Sequence, residues 1–315
     1  MTVKVGHIEF LNCYPLYYGF EQTGMLADDR HLDRPGRPGV DLLPGVPTAL
    51  NRMLAAGDID LGPVSSIAYA RNHRRLLLSR RLSISSFGAV DSIQLVSKCP
   101  LKEIRTVALT PQSATSVALL KTILKLRFRQ DVSYAVLAAP VEPTLVDYDA
   151  VLLIGDQGLE ALYFPTPRTR CHDLGALWKE WTGLPMVYAV WAAREDFARS
   201  NGDELLSVEQ ELVRCLDYAR AHRSEVVESA LGRYRFDRAG LTRYFARLRY
   251  DFTAEYREGL ARFYELAYEA GELEEVPRLR FIDEVAGAGG PAGASGAAQA
   301  DGRGSAPSPP EAAAT

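Results

Sequence analysis

Three segments of the chain share one pattern, in which an apolar strand runs into a small polar turn and then into a helix. The segments are IDLGPVSSIAYA at residues 59–70, VALTPQSATSVALLKTIL at 107–124, and VLLIGDQGLEAL at 151–162. Alternation of strands with helices is typical of α/β proteins, whose helices cover the faces of largely parallel sheets. The pattern therefore predicts an α/β fold for most of the chain.

Hydrophobic periodicity places further elements between and beyond these three segments. Apolar runs with β-branched character predict strands, and apolar positions spaced three and four residues apart predict helices. The predicted strands cover residues 3–10, 59–61, 82–84, 92–96, 106–109, 132–137, 150–154 and 186–192. The predicted helices cover residues 46–56, 113–128, 204–222, 238–248 and 253–270.

The turns of the three segments are candidate ligand sites. In open α/β sheets ligands bind beyond the carboxyl ends of the strands, where helix N-termini offer unpaired N–H groups to anions. The hydroxyl groups of the first two turns can add donors for two carboxylates of one small ligand; they belong to Ser65, Ser66, Thr110, Ser113, Thr115 and Ser116. Serine and threonine are also favoured helix N-caps, so a purely structural role is the alternative.

The third turn is less specific. Gly155 and Asp156 follow the strand at 150–154 and begin the next helix. Asp156 is compatible with three roles, namely a helix cap, a ligand contact or a base. Both residues are therefore kept as candidate substrate contacts.

Composition argues against several classes of function. The chain carries 36 Lys and Arg against 40 Asp and Glu, a net charge of −4, whereas nucleic-acid binding usually requires a basic surface. Its four cysteines lie far apart, without the pairs or histidine partners of a zinc site. The chain also lacks nucleotide-binding and hydrolase signatures. We therefore expect neither a nucleic-acid partner, nor a metal, nor another cofactor.

The two ends of the chain indicate where the protein is located in the cell and which residues are disordered. The N-terminal MTVKVGHIEF lacks the charged and apolar regions of a secretory signal, and no apolar run reaches the length of a membrane span. These features predict a cytoplasmic protein without a membrane partner. Residues 286–315 contain no Leu, Ile, Val, Phe, Tyr or Trp, so we expect a disordered Ala/Gly/Pro tail.

The first strand ends in an unusual sequence, VGHIEFLNCYPLYYGFE at residues 5–21. Asn12 follows the apolar run, and Pro15 breaks the extended chain three residues later. Periodicity alone leaves Asn12 either as a turn residue or as a polar group delivered to a site. His7 lies in the strand itself, where a histidine more often packs on a face than acts as a base.

Several blocks carry a resemblance that is more specific than any single motif. They are GHIEFLNCYPLYYG at residues 6–19, ALNRMLAAGDIDLGPVSSIAYARN at 49–72, AVDSIQLVS at 89–97, the Ser/Thr turn at 110–116, AVLLIGDQGL at 150–159 and HDLGALWKEWTGLPMVYAVWAAR at 172–194. Together they resemble the chorismate dehydratases of the futalosine route to menaquinone. The resemblance covers most of residues 3–282.

The resemblance implies the two-lobed fold of type II periplasmic binding proteins, with mixed sheets flanked by helices and the ligand in the cleft between the lobes. Lobe one would comprise residues 1–97 plus 189–285, and lobe two residues 98–188. The implied activity is dehydration of chorismate to 3-[(1-carboxyvinyl)oxy]benzoate, without a cofactor. The resemblance also implies that Asn12 and Ser92 are the catalytic residues.

Neither Asn12 nor Ser92 is a suitable general base, because neither side chain titrates near neutral pH. We therefore hypothesise substrate assistance, in which the enolpyruvyl carboxylate of chorismate takes the proton. Two alternatives stay open at this point. One is a solute-binding protein for a small carboxylate, and the other is the related 1,4-dihydroxy-6-naphthoate synthase.

Overall fold

A computed structural model of the protein describes residues 2–24, 39–137 and 145–286. Within these ranges the chain forms two β-sheets covered by helices, as an α/β fold requires. The strands are β1 Thr2–Ile8, β2 Gly39–Gly45, β3 Leu61–Ser65, β4 Leu76–Ser86, β5 Ile93–Ser97, β6 Thr106–Leu109, β7 Ser133–Val136, β8 Ala150–Ile154, β9 Arg170–Asp173, β10 Met186–Arg194 and β11 Leu248–Asp251.

The helices separate and follow these strands. They are α1 Tyr14–Thr23, α2 Pro47–Ala56, α3 Ser66–Asn72, α4 Ala114–Thr122, α5 Gly155–Tyr163, α6 Leu174–Thr182, α7 Glu195–Ala221, α8 Arg223–Leu231, α9 Arg238–Arg247 and α10 Ala254–Ala270. Short 3₁₀ helices lie at Leu11–Cys13, Leu101–Glu103 and Ile282–Glu284. Within the described ranges, no helix is both long enough and apolar enough to cross a membrane.

Both sheets are mixed. The six-stranded first sheet has the order β11-β4-β10-β3-β1-β2, and the five-stranded second sheet has the order β7-β6-β8-β5-β9. β1 pairs in parallel with β2 and β3, but β10 runs antiparallel to both β3 and β4. The expectation of largely parallel sheets, drawn from strand and helix alternation, is therefore wrong. The mixed sheets implied by the family resemblance are confirmed.

The chain crosses between the two sheets twice. It leaves the first sheet after β4 and returns to it with β10, directly after α6. Gly183 ends α6 with a positive φ of 75°, and the buried Trp178 donates its indole N–H to the carbonyl of Pro185 at 3.0 Å. The segment at 183–186 is this second crossing.

The sheet boundaries differ from the lobe boundaries expected at residues 97 and 188. β5 pairs with β8 and β9 in the second sheet, although residues 93–97 fall within the predicted lobe one. β10 already joins the first sheet at Met186. The physical reason is that every residue of β5 is buried, so its pattern carries no information about which sheet it enters. The predicted tail, except for Ala286, lies outside the described residues.

Candidate functional site

The first candidate residue, Asn12, lies just past the carboxyl end of β1. Leu11–Cys13 forms a single 3₁₀ turn that runs directly into α1, where Pro15 occupies a first-turn position that tolerates its missing N–H. The Asn12 main-chain carbonyl accepts a hydrogen bond of 2.6 Å from the Tyr250 hydroxyl. Its side-chain Oδ1 is buried and has no hydrogen-bond partner within the described ranges. This turn therefore fixes the backbone of Asn12 and leaves its amide oxygen available.

Ser92 is 4% exposed and immediately precedes β5, at the end of the first crossing between the sheets. The preceding Asp91 has a φ of 64°, a left-handed conformation that costs a non-glycine residue about 1–2 kcal/mol. The carboxylate of Asp173 stabilises this turn by accepting the N–H groups of Val90 at 3.1 Å and Asp91 at 2.7 Å. It also accepts the side-chain N–H of Gln94 at 3.0 Å. Asp173 thereby determines where Ser92 lies.

The same Asp173 carboxylate caps α6 through the N–H of Ala176 at 3.0 Å. Its neighbour His172 instead contacts Ser97, with Nε2 at 3.1 Å from the Ser97 hydroxyl. The two side chains therefore face different partners, as expected for adjacent residues of one strand. A His172–Asp173 catalytic dyad is absent.

Tyr244 brings a third polar group to Ser92. It lies on α9, is 1% exposed, and its hydroxyl has no hydrogen-bond partner in the described part of the chain. Burial raises the pKa of Tyr244 well above its ordinary value, and a contact with the Ser92 side chain, which falls short of full hydrogen-bond geometry, opposes that shift. Asp156 and Cys13 also lie within electrostatic range of the phenol. We call Asn12, Ser92 and Tyr244 the Asn12–Tyr244 cluster.

Asp156 joins the two sheets at this cluster. Its carboxylate accepts the N–H of Leu11 at 3.2 Å, so a residue of α5 contacts the turn that carries Asn12. Burial raises the pKa of Asp156, and the Leu11 N–H opposes the shift. Gly155 has a φ of 58°, and a Cβ at this position would lie 3.2 Å from the Phe10 ring. A glycine thus permits both the turn and the close approach of the two lobes.

A second contact between the lobes is formed by the two hydroxyl-rich turns. The Thr115 hydroxyl oxygen accepts the N–H of Ile67 at 3.1 Å and lies 3.2 Å from the Ser66 hydroxyl. Ser66 also donates to the carbonyl of Val187 at 2.9 Å. The N-termini of α3 and α4 therefore contact each other directly. We call this arrangement the Ser66–Thr115 contact.

The remaining predicted residues bond within their own turns. Ser113 caps α4 by accepting the Ser116 N–H at 3.3 Å, and it donates to the Ser116 hydroxyl at 2.8 Å. Thr110 accepts the N–H of Gln112 at 3.2 Å. Ser65 exchanges two hydrogen bonds with Asn51, at 2.6 and 3.0 Å. These are the structural roles that the sequence left open as the alternative.

A cavity of about 400 Å³ opens beside the carboxyl end of β1. Its lining includes Phe10, Tyr14 and His7, whose ring stacks on Tyr17 with 5.1 Å between centroids. Burial lowers the pKa of His7 to about 4, so the imidazole is neutral at pH 7. A neutral His7 in an aromatic stack agrees with the packing role expected from its strand position.

Sequence reasoning missed Tyr244 and Tyr250, and it did not identify Asp173 as the residue that fixes the turn before Ser92. Both tyrosines lie on the apolar faces of late elements, where an aromatic residue looks like ordinary core. Asp173 did carry a local signal, because an Asp directly before an apolar helix is typical of an N-cap. Within residues 2–24, 39–137 and 145–286, no group of three or more His, Cys, Asp or Glu side chains is arranged to hold a metal ion.

Comparison with known proteins agrees with this architecture. A Candida albicans protein whose structure defines a family with the generic periplasmic binding protein fold superposes with a TM-score of 0.65. That match has 13% identity and covers 90% of this chain and 94% of the other, so it speaks for the fold alone. Two mixed sheets covered by helices therefore define the class: a protein built like the periplasmic binding proteins.

Sequence comparison narrows the class to a family. The family model described as menaquinone biosynthesis matches residues 3–269. The chorismate dehydratase of Thermus thermophilus is 36% identical over 202 residues, covering 58% of this chain and 71% of that protein. The 1,4-dihydroxy-6-naphthoate synthase of the same organism is 28% identical over 257 residues, covering 74% and 85%. The chain belongs to the menaquinone biosynthesis family and is homologous to chorismate dehydratase.

Proposed function

We propose that this protein is a chorismate dehydratase, a carbon–oxygen lyase that converts chorismate to 3-[(1-carboxyvinyl)oxy]benzoate and water. The observation that carries the proposal is the buried, unpaired Oδ1 of Asn12, at the carboxyl end of β1 in a homologue of chorismate dehydratase. A buried polar atom without a partner in the described chain requires an explanation, and at the carboxyl end of a strand a bound ligand is one that fits. Asn12 and Ser92 are the catalytic residues of this proposal.

The chemistry suits a site that offers hydrogen bonds but no strong base. Elimination removes one ring proton and one hydroxyl group, and the product gains an aromatic ring that provides thermodynamic pull. The proton to be removed is conjugated with the ring carboxylate, so donors at that carboxylate stabilise the developing negative charge. The Asn12 amide presents both donors and an acceptor, whereas the Ser92 hydroxyl presents one donor. These groups position the substrate.

The base in this proposal is the enolpyruvyl carboxylate of the substrate itself. Within the bound molecule this group lies close to the ring proton, and a well-oriented intramolecular reaction avoids much of the entropic cost of bringing two reactants together. Asp156 is a protein carboxylate at the Asn12 turn, but its described hydrogen bond is to the main-chain N–H of Leu11. Its role here is to connect the two lobes around the substrate.

Replacing Asp156 with asparagine distinguishes a role as the base from a role as a connection between the lobes. The amide of the D156N variant keeps an oxygen that can accept the Leu11 N–H, but it cannot accept a proton from the substrate. We expect D156N to retain kcat for chorismate within about threefold, since only the charge of a connecting group is lost. A loss of turnover by D156N with unchanged product affinity would make Asp156 the base and would contradict substrate assistance.

The proposed function is tested with purified protein and chorismate, without added cofactor. Chromatography should show chorismate disappearing while 3-[(1-carboxyvinyl)oxy]benzoate appears in equal amount. Chorismate that is bound but unchanged would indicate a solute-binding protein instead. Inertness toward chorismate, combined with formation of 1,4-dihydroxy-6-naphthoate from a cyclic futalosine derivative, would identify the related synthase. Either result would refute the dehydratase proposal.

A further inference from the structure

The hydroxyl of Tyr244 differs from those of other buried tyrosines in this protein. Tyr69 donates to the carbonyl of Arg278 at 2.9 Å, Tyr250 to that of Asn12 at 2.6 Å, and Tyr264 to that of Ser66 at 2.7 Å. The Tyr244 hydroxyl is equally buried, yet it makes no hydrogen bond of full geometry in the part of the chain that the structure describes, although the Ser92 side chain lies beside it. Burying a hydroxyl without a hydrogen bond is unfavourable, so this atom requires an explanation.

The surroundings of Tyr244 come from both lobes. Ser92 at the first crossing interacts with the phenol, and Asp156 from α5 and Cys13 from the Asn12 turn lie within electrostatic range. Tyr250, whose hydroxyl supports the Asn12 carbonyl, interacts electrostatically with both Tyr244 and Cys13. The unpaired phenol and the unpaired Oδ1 of Asn12 therefore belong to one neighbourhood, at the point where the lobes meet.

An alcohol is the ligand group that can satisfy both atoms at once. A hydroxyl offers one O–H donor and two acceptor lone pairs. Its O–H can reach the Asn12 Oδ1, which only accepts, while a lone pair receives the O–H of Tyr244. Chorismate carries one such group on its ring, and it is the group that departs.

We propose that Tyr244 is a further catalytic residue, which donates a hydrogen bond and then a proton to the departing ring hydroxyl of chorismate. This inference rests on the proposed function. It adds to Asn12 and Ser92 a general acid that is contributed by α9, far from both residues in the sequence.

The step balances without any other reactant. The C–H bond at the ether-bearing ring carbon breaks, and its proton passes to the enolpyruvyl carboxylate. The electron pair forms the new ring double bond, the C–O bond breaks, and the leaving oxygen takes the proton of Tyr244 to become water. The proton held by the carboxylic acid then returns to the tyrosinate, so the enzyme is regenerated and the net change is loss of water.

The environment of Tyr244 keeps the proton on the phenol at neutral pH. Because burial raises its pKa, the phenol is fully protonated when substrate binds. A phenol that stayed ionised would have no proton to give and would repel a substrate that carries two carboxylates. Protonation of the leaving group by a positioned side chain typically contributes about 10²–10⁴-fold to a rate.

The test is Tyr244→Phe, which removes only the hydroxyl, with Tyr69→Phe as the matched control. Y244F should lower kcat for chorismate by about 100-fold or more, while affinity for 3-[(1-carboxyvinyl)oxy]benzoate, measured calorimetrically, changes by less than about tenfold. Its Tm should equal or exceed that of the wild type, because an unpaired buried hydroxyl is lost. Y69F should lower Tm, because its hydroxyl is paired, and should keep kcat.

Two results would overturn the assignment. One is wild-type kcat in Y244F, and the other is a fall in kcat accompanied by a fall in Tm as large as that of Y69F, which would indicate a structural hydroxyl. Failure of the proposed function is distinguishable, because the wild-type protein itself would then leave chorismate intact. That result would refute both proposals together.

Discussion

Two of the places where the lobes meet contain buried polar side chains, and these places differ in how those side chains are paired. At the Ser66–Thr115 contact, each described hydroxyl bonds to protein, with Thr115 on Ile67 and Ser66 on Val187. At the Asn12–Tyr244 cluster, the Asn12 Oδ1 and the Tyr244 hydroxyl are buried without a partner in the described ranges. One place satisfies its polar groups within the protein, whereas the other leaves two buried polar atoms for the proposed substrate.

The two places differ in the binding free energy that their polar groups can provide to a ligand. A hydrogen bond already made within the protein must break before the group can bind a substrate, so the net gain is small. A buried unpaired group has already lost its water and gains the full interaction when a ligand arrives. Substitutions at the Asn12–Tyr244 cluster should therefore change turnover, and substitutions at the Ser66–Thr115 contact should mainly change stability.

The largest effect is expected at Asn12. Asn12→Ala removes the amide that holds the substrate in the transition state, and loss of such a group typically lowers kcat by about 10²–10³-fold. Affinity for the product should change far less, because the product lacks the ring hydroxyl that the proposal places against Asn12. Steady-state kinetics and calorimetric titration measure the two quantities separately.

Asn51→Ala is the matched control for Asn12. Asn51 is also an asparagine, but it is hydrogen-bonded to Ser65 in both directions. We expect N51A to lose about 1–2 kcal/mol of unfolding free energy and to keep most of its kcat. Near-normal turnover by N12A would remove Asn12 from the mechanism. A large loss of kcat in N51A but not in N12A would place the substrate at the paired asparagine, contrary to the proposal.

A smaller effect on turnover is expected at Ser92. Ser92→Ala deletes one hydroxyl beside Tyr244 and leaves the turn fixed by Asp173 in place. Loss of one neutral hydrogen bond in the transition state should lower kcat by about 10-fold, up to about 100-fold. Ser92→Thr retains the hydroxyl and serves as the control. If S92A and S92T were equally impaired, the crowded packing at this position, not the hydroxyl, would be responsible.

At the Ser66–Thr115 contact the main effect should be on stability. Thr115→Val keeps the shape but leaves the Ile67 N–H unpaired, which should cost about 1–3 kcal/mol of unfolding free energy. Thr115→Ser keeps the hydroxyl and should be nearly neutral. Chemical denaturation of both variants gives the difference. A fall in kcat greater than that of S92A, at unchanged stability, would move Thr115 into the substrate site.

The smallest expected effect is that of His7 on the pH dependence of stability. Burial lowers the pKa of His7 to about 4, against about 6.5 in an unfolded chain, so the unfolded state binds more protons between these values. The contribution of neutral His7 to stability is therefore complete above pH 6.5 and is lost as pH falls toward 4. His7→Phe, which preserves the stack on Tyr17, should flatten the stability profile in this window.

The same variant tests whether His7 takes part in the reaction. Because its imidazole does not titrate between pH 6 and 8, H7F should leave the shape of the kcat–pH profile in that range unchanged. Loss of a limb of the profile in H7F would show that His7 acts as an acid or base, contrary to its packing role.

The parts of the fold that depend on local pattern could be predicted from the sequence. β6 and β8 are buried apolar runs between polar residues, and both are predicted with the bounds that the structure has. β3 was predicted at 59–61 but lies at Leu61–Ser65, because Pro63 argues against a strand interior and yet occupies one here. Helix 113–128 is instead α4 followed by a π-helical turn at Ile123–Arg127.

The candidate site also has a part that could be predicted from the sequence and a part that could not. Asn12 and the two hydroxyl-rich turns follow strands, so position in the sequence indicates that they reach the same edge of the fold. Whether a hydroxyl is then paired or unpaired depends on groups from distant elements, such as Val187 for Ser66. Tyr244 lies in RAGLTRYFAR, a helix whose pattern resembles any amphipathic helix, so only the tertiary structure reveals its unpaired hydroxyl.

A crystal structure of the protein with 3-[(1-carboxyvinyl)oxy]benzoate tests most directly whether Asn12 and Tyr244 bind the ligand. The account predicts the product between the lobes, with a polar atom of the ligand or an ordered water within hydrogen-bonding distance of both the Asn12 side chain and the Tyr244 hydroxyl. The Ser66–Thr115 hydrogen bonds should be preserved. A product bound elsewhere, with Asn12 Oδ1 and the Tyr244 hydroxyl still unpaired, would contradict the account.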